Sequence, residues 1–236
     1  MSVFQFKRFT LKQNSSAMKF GTDSMLLGSL IDVKGKVFSL DVGTGTGVLS
    51  LMLAQRNEAM MIDAIEIESD AFVEAKENVS LSLFSSQISL ILGDFYKFES
   101  LHVYDLIFSN PPFFYNSLKN KDDNKSIARH TLRSSIVDFV EKVNLLLSNF
   151  GHVWVIIPYL SLVEWGKVIA ANGFFIHKMI SVYSKPGIKV RIIVCFSKVP
   201  TPFLEEVDIL IRDEFGFYTQ EYVELTKEYH LNTPLK

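Results

Sequence analysis

Short, almost wholly apolar runs alternate with amphipathic stretches along most of this chain. The runs at 37–42, 61–67, 88–92, 105–109, 153–157, 174–183 and 190–196 read as strands, and their lack of polar alternation predicts cover on both faces. Helical spacing of apolar residues marks 49–55, 70–83, 135–147 and 160–171. Strand, helix and strand in repeated succession predict an α/β fold with a doubly wound, mostly parallel sheet. Only Ser184, Lys185, Pro186, Gly187, Ile188 and Lys189 separate the last two runs, too few for a helical crossover. Those strands are therefore expected to form a hairpin and make one edge of the sheet antiparallel. Residues 4–11 alternate in the manner of an edge strand or a hairpin.

No stretch of glycine, serine or proline is long enough to act as a linker, so one domain over 1–236 is expected, with an N-terminal hairpin within 1–30 and an extension over 200–236. Apolar residues make up 48% of the chain, but no run approaches the ~18 residues of a spanning helix. The opening residues Met1, Ser2, Val3 and Phe4 lack a signal-peptide core, and the single cysteine, Cys195, sits in an apolar run as a core residue would. Both features suit a cytoplasmic protein. The formal net charge of -2 taken alone suggests a small-molecule enzyme rather than a partner of a polyanion.

Chemistry enters at Asp41-Val42-Gly43-Thr44-Gly45-Thr46-Gly47, a glycine-rich turn between a strand and a helix. Glycine lets a backbone come close to a ligand there. The spacing G-x-G-x-G departs from the dinucleotide fingerprint G-x-G-x-x-G, whose last position is Val48 here, so nicotinamide binding is disfavoured. Glu66 follows Gly47 by 19 residues at the end of the second run, where a carboxylate can accept both hydroxyls of a ribose. Ile67 beside it could cover an adenine face, and Asp94, just past the third run, could accept from the adenine amino group.

Ser109-Asn110-Pro111-Pro112-Phe113 follows the fourth run, at the sheet edge where open α/β folds bind ligands. Two prolines stiffen the turn and hold Asn110 and Pro111 extended. The Asn110 side-chain carbonyl and the Pro111 backbone carbonyl offer two acceptors for the two hydrogens of an exocyclic amine. Gripping both N–H bonds out of the ring plane lets the nitrogen pyramidalise and attack an electrophilic methyl without a strong base. Phe113 is placed to stack on a flipped base. Phe4, Phe6, Phe9, Phe114 and Tyr115 are further stacking candidates. No metal-ligand spacing is present.

The glycine loop resembles the first motif of class I S-adenosylmethionine methyltransferases, a Rossmann-like fold, and Asn-Pro-Pro-Phe resembles the fourth motif of those that methylate amino groups. Taken with residues 6–10, 17–28, Ala128-Arg129-His130 and Phe217-Tyr218-Thr219, the chain resembles, nearly end to end, the bacterial tRNA1(Val) adenine-37 N6-methyltransferases, the YfiC-like family. That resemblance implies S-adenosyl-L-methionine as cofactor, a tRNA as partner, and methylation of the adenosine beside the anticodon of a valine tRNA. By carry-over Asn110 would be the catalytic residue, supported by Pro111, Pro112 and Phe113. Lys19, Gly21, Thr22 and Asp23 would line the methionine end of the cofactor, with Asp41, Gly43, Gly45 and Gly47 close by. Phe20 and Ser24 depart from the family pattern. Guanine N2 of ribosomal RNA, adenine N6 of DNA and a release-factor glutamine remain as alternative acceptors, and a non-catalytic cofactor- and RNA-binding module as an alternative class.

The charge is segregated along the chain. Lys7, Arg8, Lys12 and Lys19 stand in the first twenty residues with no acid, and Lys178, Lys185, Lys189, Arg191 and Lys198 in 178–198 with none. Lys119, Lys121, Lys125, Arg129 and Arg133, with His130, follow the proline turn against Asp122 and Asp123. The acids concentrate in 204–230. If the basic segments converge around Asn110, then Lys7, Arg8, Lys119, Lys121, Lys125, Arg129, His130, Arg133, Lys189 and Arg191 form a rim for RNA phosphates. The default oligomeric state is a monomer.

Overall fold

The computed structural model describes residues 2–13, 20–111 and 125–231, the side chains of 125–134 excepted. An antiparallel hairpin of β1 (Ser2–Gln5) and β2 (Thr10–Gln13) precedes α1 (Thr22–Leu30). β3 (Phe38–Val42), α2 (Val48–Arg56), β4 (Met61–Glu66), α3 (Ser69–Ser80), β5 (Ile88–Leu92) and β6 (Tyr104–Ser109) follow. The chain continues through α4 (Lys125–Leu146), β7 (Leu147–Pro158), α5 (Leu162–Ala171), β8 (Phe175–Lys185), β9 (Ile188–Ser197), β10 (Glu205–Leu210) and α6 (Gln220–Thr226).

Eight strands form one sheet in the order β10-β8-β9-β7-β6-β3-β4-β5. All its neighbours pair in parallel except those of β9, which lies antiparallel between β7 and β8. The expected hairpin is present. Beyond it, β10 pairs in parallel with β8, so the extension supplies the outermost strand on that side. Strand alternation sends Leu106 and Phe108 to one core and Ile107 to the other. The first core is closed by α1, α2, α3, α6 and the N-terminal hairpin, the second by α4 and α5. Strands covered on both faces explain the continuous apolar runs. Among the described residues no helix is long and apolar enough to cross a membrane.

Phe6 and Phe9 stack at 4.4 Å between centroids and are buried, while Phe4 meets Phe20 edge-on at 4.6 Å. These aromatics pack the hairpin onto the domain, so the structure uses Phe6 and Phe9 as core rather than as a stacking surface. The parallel arrangement brings the carboxyl ends of β3, β4, β5 and β6 to one edge, and the candidate site is built there.

Candidate active site

The loop from β3 to α2 turns through three left-handed glycines, Gly43 (φ 70°), Gly45 (φ 60°) and Gly47 (φ 84°), a region in which a Cβ is strained. Two backbone bonds tie it to β4, from the N–H groups of Gly43 and Thr44 to the Ile65 carbonyl at 2.9 and 3.0 Å. Asp41 lies underneath, fully buried, and one of its oxygens accepts from the Thr44 and Ser50 hydroxyls, each at 2.7 Å. Its other oxygen has no partner among the described residues. Burial pushes the Asp41 carboxyl up to about 6, with the two hydroxyls pulling the other way. Asp41 therefore shapes the loop from within and has no surface on the cleft.

Glu66 ends β4 and is nearly buried. Its Oε2 accepts from the Gly45 N–H at 2.7 Å and its Oε1 from the N–H groups of Ile67 and Glu68 at 2.9 Å each. A carboxylate offers about four lone-pair directions, so one remains, on Oε2. Gly93 joins the neighbouring strand end by donating to the Glu66 carbonyl at 2.9 Å. Asp94 caps the short helical turn Phe95–Lys97 by accepting from the Tyr96 N–H at 2.9 Å and lies 3.7 Å from Lys97. Ile67 is half exposed beside Glu66, a free apolar surface at the same edge.

On the other side of the loop stands α1. Gly21 precedes it in extended conformation, Thr22 and Asp23 form its first turn, and buried Ser24 faces Asn110. The Asn110 Nδ2 donates to Ser24 Oγ at 3.3 Å, and its Oδ1 is buried without a partner among the described residues. Ser109 anchors the end of β6 by donating to the Val42 carbonyl at 2.7 Å. Phe20, Ser24, Gly43, Thr44, Gly45, Thr46, Val48, Leu49 and Asn110 thus line one cleft between α1 and the glycine loop.

The family described as Methyltransferase small domain matches residues 11–156. A Flavobacterium johnsoniae protein named tRNA1(Val) (adenine(37)-N6)-methyltransferase is 37% identical over 97% of this chain and 99% of its own length. A protein of the same name from Tolumonas auensis is 34% identical over 97% of this chain and 96% of its length. The chain belongs to this methyltransferase family. The crystal structure of a predicted O-methyltransferase from Agrobacterium tumefaciens shares the fold, with a TM-score of 0.65 and 18% identity over 87% of this chain and 96% of that one.

In this methyltransferase, Gly21, Thr22, Asp23, Asp41, Gly43, Gly45, Gly47, Glu66, Ile67, Asp94, Asn110 and Pro111 gather at the carboxyl edge. Lys19, Pro112, Phe113, Phe114, Tyr115, Lys119 and Lys121 lie outside the described residues, as do the side chains of Lys125, Arg129, His130 and Arg133 on the first turns of α4. Lys189 and Arg191 share the edge, because Arg191 stands opposite Pro158 at the end of β7. Lys7 and Arg8 do not. Arg8 lies against the far end of α2, donating to the Gln55 carbonyl at 3.2 Å and standing 4.0 Å from Glu58. That end of α2 leads into the start of β4, across the sheet from Asn110, so Lys7 and Arg8 are no part of a rim there.

Sequence reasoning passed over Thr44 and Ser50 as the grips of Asp41, and over the contact of Ser24 with Asn110. A serine within the apolar run Val48-Leu49-Ser50-Leu51 was the available signal for the first. Contacts between α1 and β6 have no local signal.

Proposed function

We infer that the chain transfers the methyl group of S-adenosyl-L-methionine to N6 of adenosine 37 in tRNA1(Val). The observation that carries this reading is the relationship to proteins of that name along nearly the whole chain, because the fold alone does not choose an acceptor. The cleft fits such a cofactor. A Cβ on Gly45 would meet nothing within 4 Å, so the loop backbone lies open to a ligand, and Asn110 Oδ1 is an acceptor with no donor among the described residues.

The glycine loop, with Lys19, Gly21, Thr22 and Asp23, holds the methionine end. The remaining lone pair of Glu66 takes one ribose hydroxyl, and a grip on both requires the carboxylate to release an N–H. Ile67 covers the adenine and Asp94 accepts from its amino group. When bound, the cofactor supplies an electrophilic methyl on a sulfonium. Asn110 Oδ1 and the Pro111 carbonyl accept the two hydrogens of the target amine and aim its lone pair at that methyl, with Pro112 stiffening the turn and Phe113 stacking the base. The proton leaves after transfer, so no general base is assigned. A tRNA substrate places the enzyme in the cytoplasm.

Labelled methyl offered with tRNA, ribosomal RNA, DNA and protein in parallel is expected in N6-methyladenosine of tRNA. Asn110→Ala should keep cofactor affinity and lose ~10²-fold or more in turnover. Label in protein, DNA or guanine N2, or full turnover by Asn110→Ala, would sink the assignment.

A further inference from the structure

Arg191, read from the sequence as a phosphate contact, has a different setting in the fold. Its Nε donates to Asp23 Oδ2 at 2.8 Å and its Nη1 to the Val190 carbonyl at 3.0 Å. The side chains of Arg191 and Asp23 keep only 23% and 22% of their surface exposed. This charge-assisted bond, of the stronger kind, joins β9 to the first turn of α1 across 168 residues of sequence. That turn also closes on itself, the Met25 N–H donating to the Gly21 carbonyl at 3.1 Å. Gly21 provides no side-chain cap, and Asp23 is its one acid. The next residue, Ser24, accepts from the Asn110 amide at 3.3 Å. Arg191, Asp23, Ser24 and Asn110 therefore form a continuous bridge from β9 to the end of β6.

We propose that Arg191 is a positioning residue: it holds Asp23, fixes the first turn of α1, and through Ser24 holds the Asn110 amide by its Nδ2, without contacting RNA phosphate. The Nε edge of this guanidinium faces a carboxylate of its own chain, a group its planar fork matches as well as it matches phosphate. The inference rests on the function proposed above and gives Arg191 a place in that site.

The test measures binding of S-adenosylhomocysteine by calorimetry, kcat and KM for tRNA, and the salt dependence of tRNA affinity, in Arg191→Gln, Arg191→Lys, Asp23→Asn and the double variant Arg191→Gln/Asp23→Asn. Arg191→Gln is expected to lower cofactor affinity about tenfold, the range of one charged hydrogen bond. Its kcat should fall more than KM rises, and the slope of log K against log salt should not move. Arg191→Lys should recover part of the loss, and the double variant should be no worse than the weaker single one. The inference is overturned if Arg191→Gln keeps cofactor affinity while the slope drops by about 1, the mark of a lost phosphate contact, or if the two single losses multiply. Thermal unfolding checks that each variant folds, and if Arg191→Gln does not, Arg191→Lys against Asp23→Asn makes the same comparison. Wild-type protein that binds no cofactor would overturn the functional reading and the inference with it. Wild-type binding with unaltered variants overturns the inference alone.

Discussion

Asp41 carries a proton to a higher pH than an ordinary aspartate because burial removes it from water, which outweighs the two hydroxyls that donate to it. Its carboxyl is fully buried and pushed up to about 6 from 3.8. The folded state therefore holds the proton more tightly than the unfolded chain. The resulting stabilisation is complete below about pH 4 and is lost as the pH rises through about 6. Two pKa units correspond to about 3 kcal/mol. Asp41→Asn, which mimics the protonated form, should accordingly gain on the wild type between about pH 4 and pH 6, and hold that gain above. Unfolding midpoints measured from acid to neutral pH test this, and a difference that stays flat would mean that the carboxyl titrates at its ordinary value. The sequence located Asp41 by its place before the glycines, yet its inward role was illegible. That role depends on complete enclosure and on Ser50, a turn into the next helix. Glu66 shows the same limit: its position at the strand end was readable, but three backbone donors converging on it were not.

Elements were legible in proportion to how regularly they bury one face. The parallel strands emerged from their apolar runs because both faces are covered. Helix α1 did not, since Ser24, Met25, Leu26, Leu27 and Gly28 are all buried in succession and leave no helical period. Strand β10 buries only Ile209 well and reads as an acidic tail, and β7 begins six residues before its apolar run. The cause of that last difference is a register shift opposite β6, between the pairs Tyr104 with Leu147 and Leu106 with His152. Gly151 makes the irregularity possible. A Cβ there would stand 2.7 Å from the Tyr104 carbonyl oxygen and 2.7 Å from Leu147 Cδ1, so glycine is needed for close approach of two backbones. Gly151→Ala should cost about 1–3 kcal/mol through overpacking, or about 2–4 °C of midpoint for each kcal/mol in a chain of this size. Cofactor affinity should not change, because the bulge lies at the start of β6 and Asn110 beyond its end. Calorimetric unfolding beside cofactor titration checks both halves, and an unchanged midpoint would show that the bulge has room for a methyl.

Over the whole molecule, the net charge of -2 is less informative than where the fold spends its cations. Lys12 pairs with Glu77, Lys178 with Glu205, and Lys198 donates to the Asn144 and Leu147 carbonyls. Arg8 is held at the far end of α2. What the 178–198 segment leaves at the carboxyl edge is the tip of the β8–β9 hairpin, with Lys185 exposed and Lys189 half-buried over Tyr183. Sequence segregation left open whether the three basic segments converge; the described residues bring the 178–198 segment to the edge of Asn110 and set Lys7 and Arg8 apart, a distinction that only chain topology decides. If RNA phosphates lie along that hairpin, Lys185→Ala and Lys189→Ala should each reduce the slope of log K against log salt for tRNA by about 1. Arg8→Ala should leave that slope unchanged, since its guanidinium already serves the Gln55 carbonyl across the sheet from the site. Fluorescence anisotropy of labelled tRNA at stepped potassium chloride concentrations makes the comparison, and an equal loss of slope in Arg8→Ala would mean that the RNA wraps to the opposite edge of the domain.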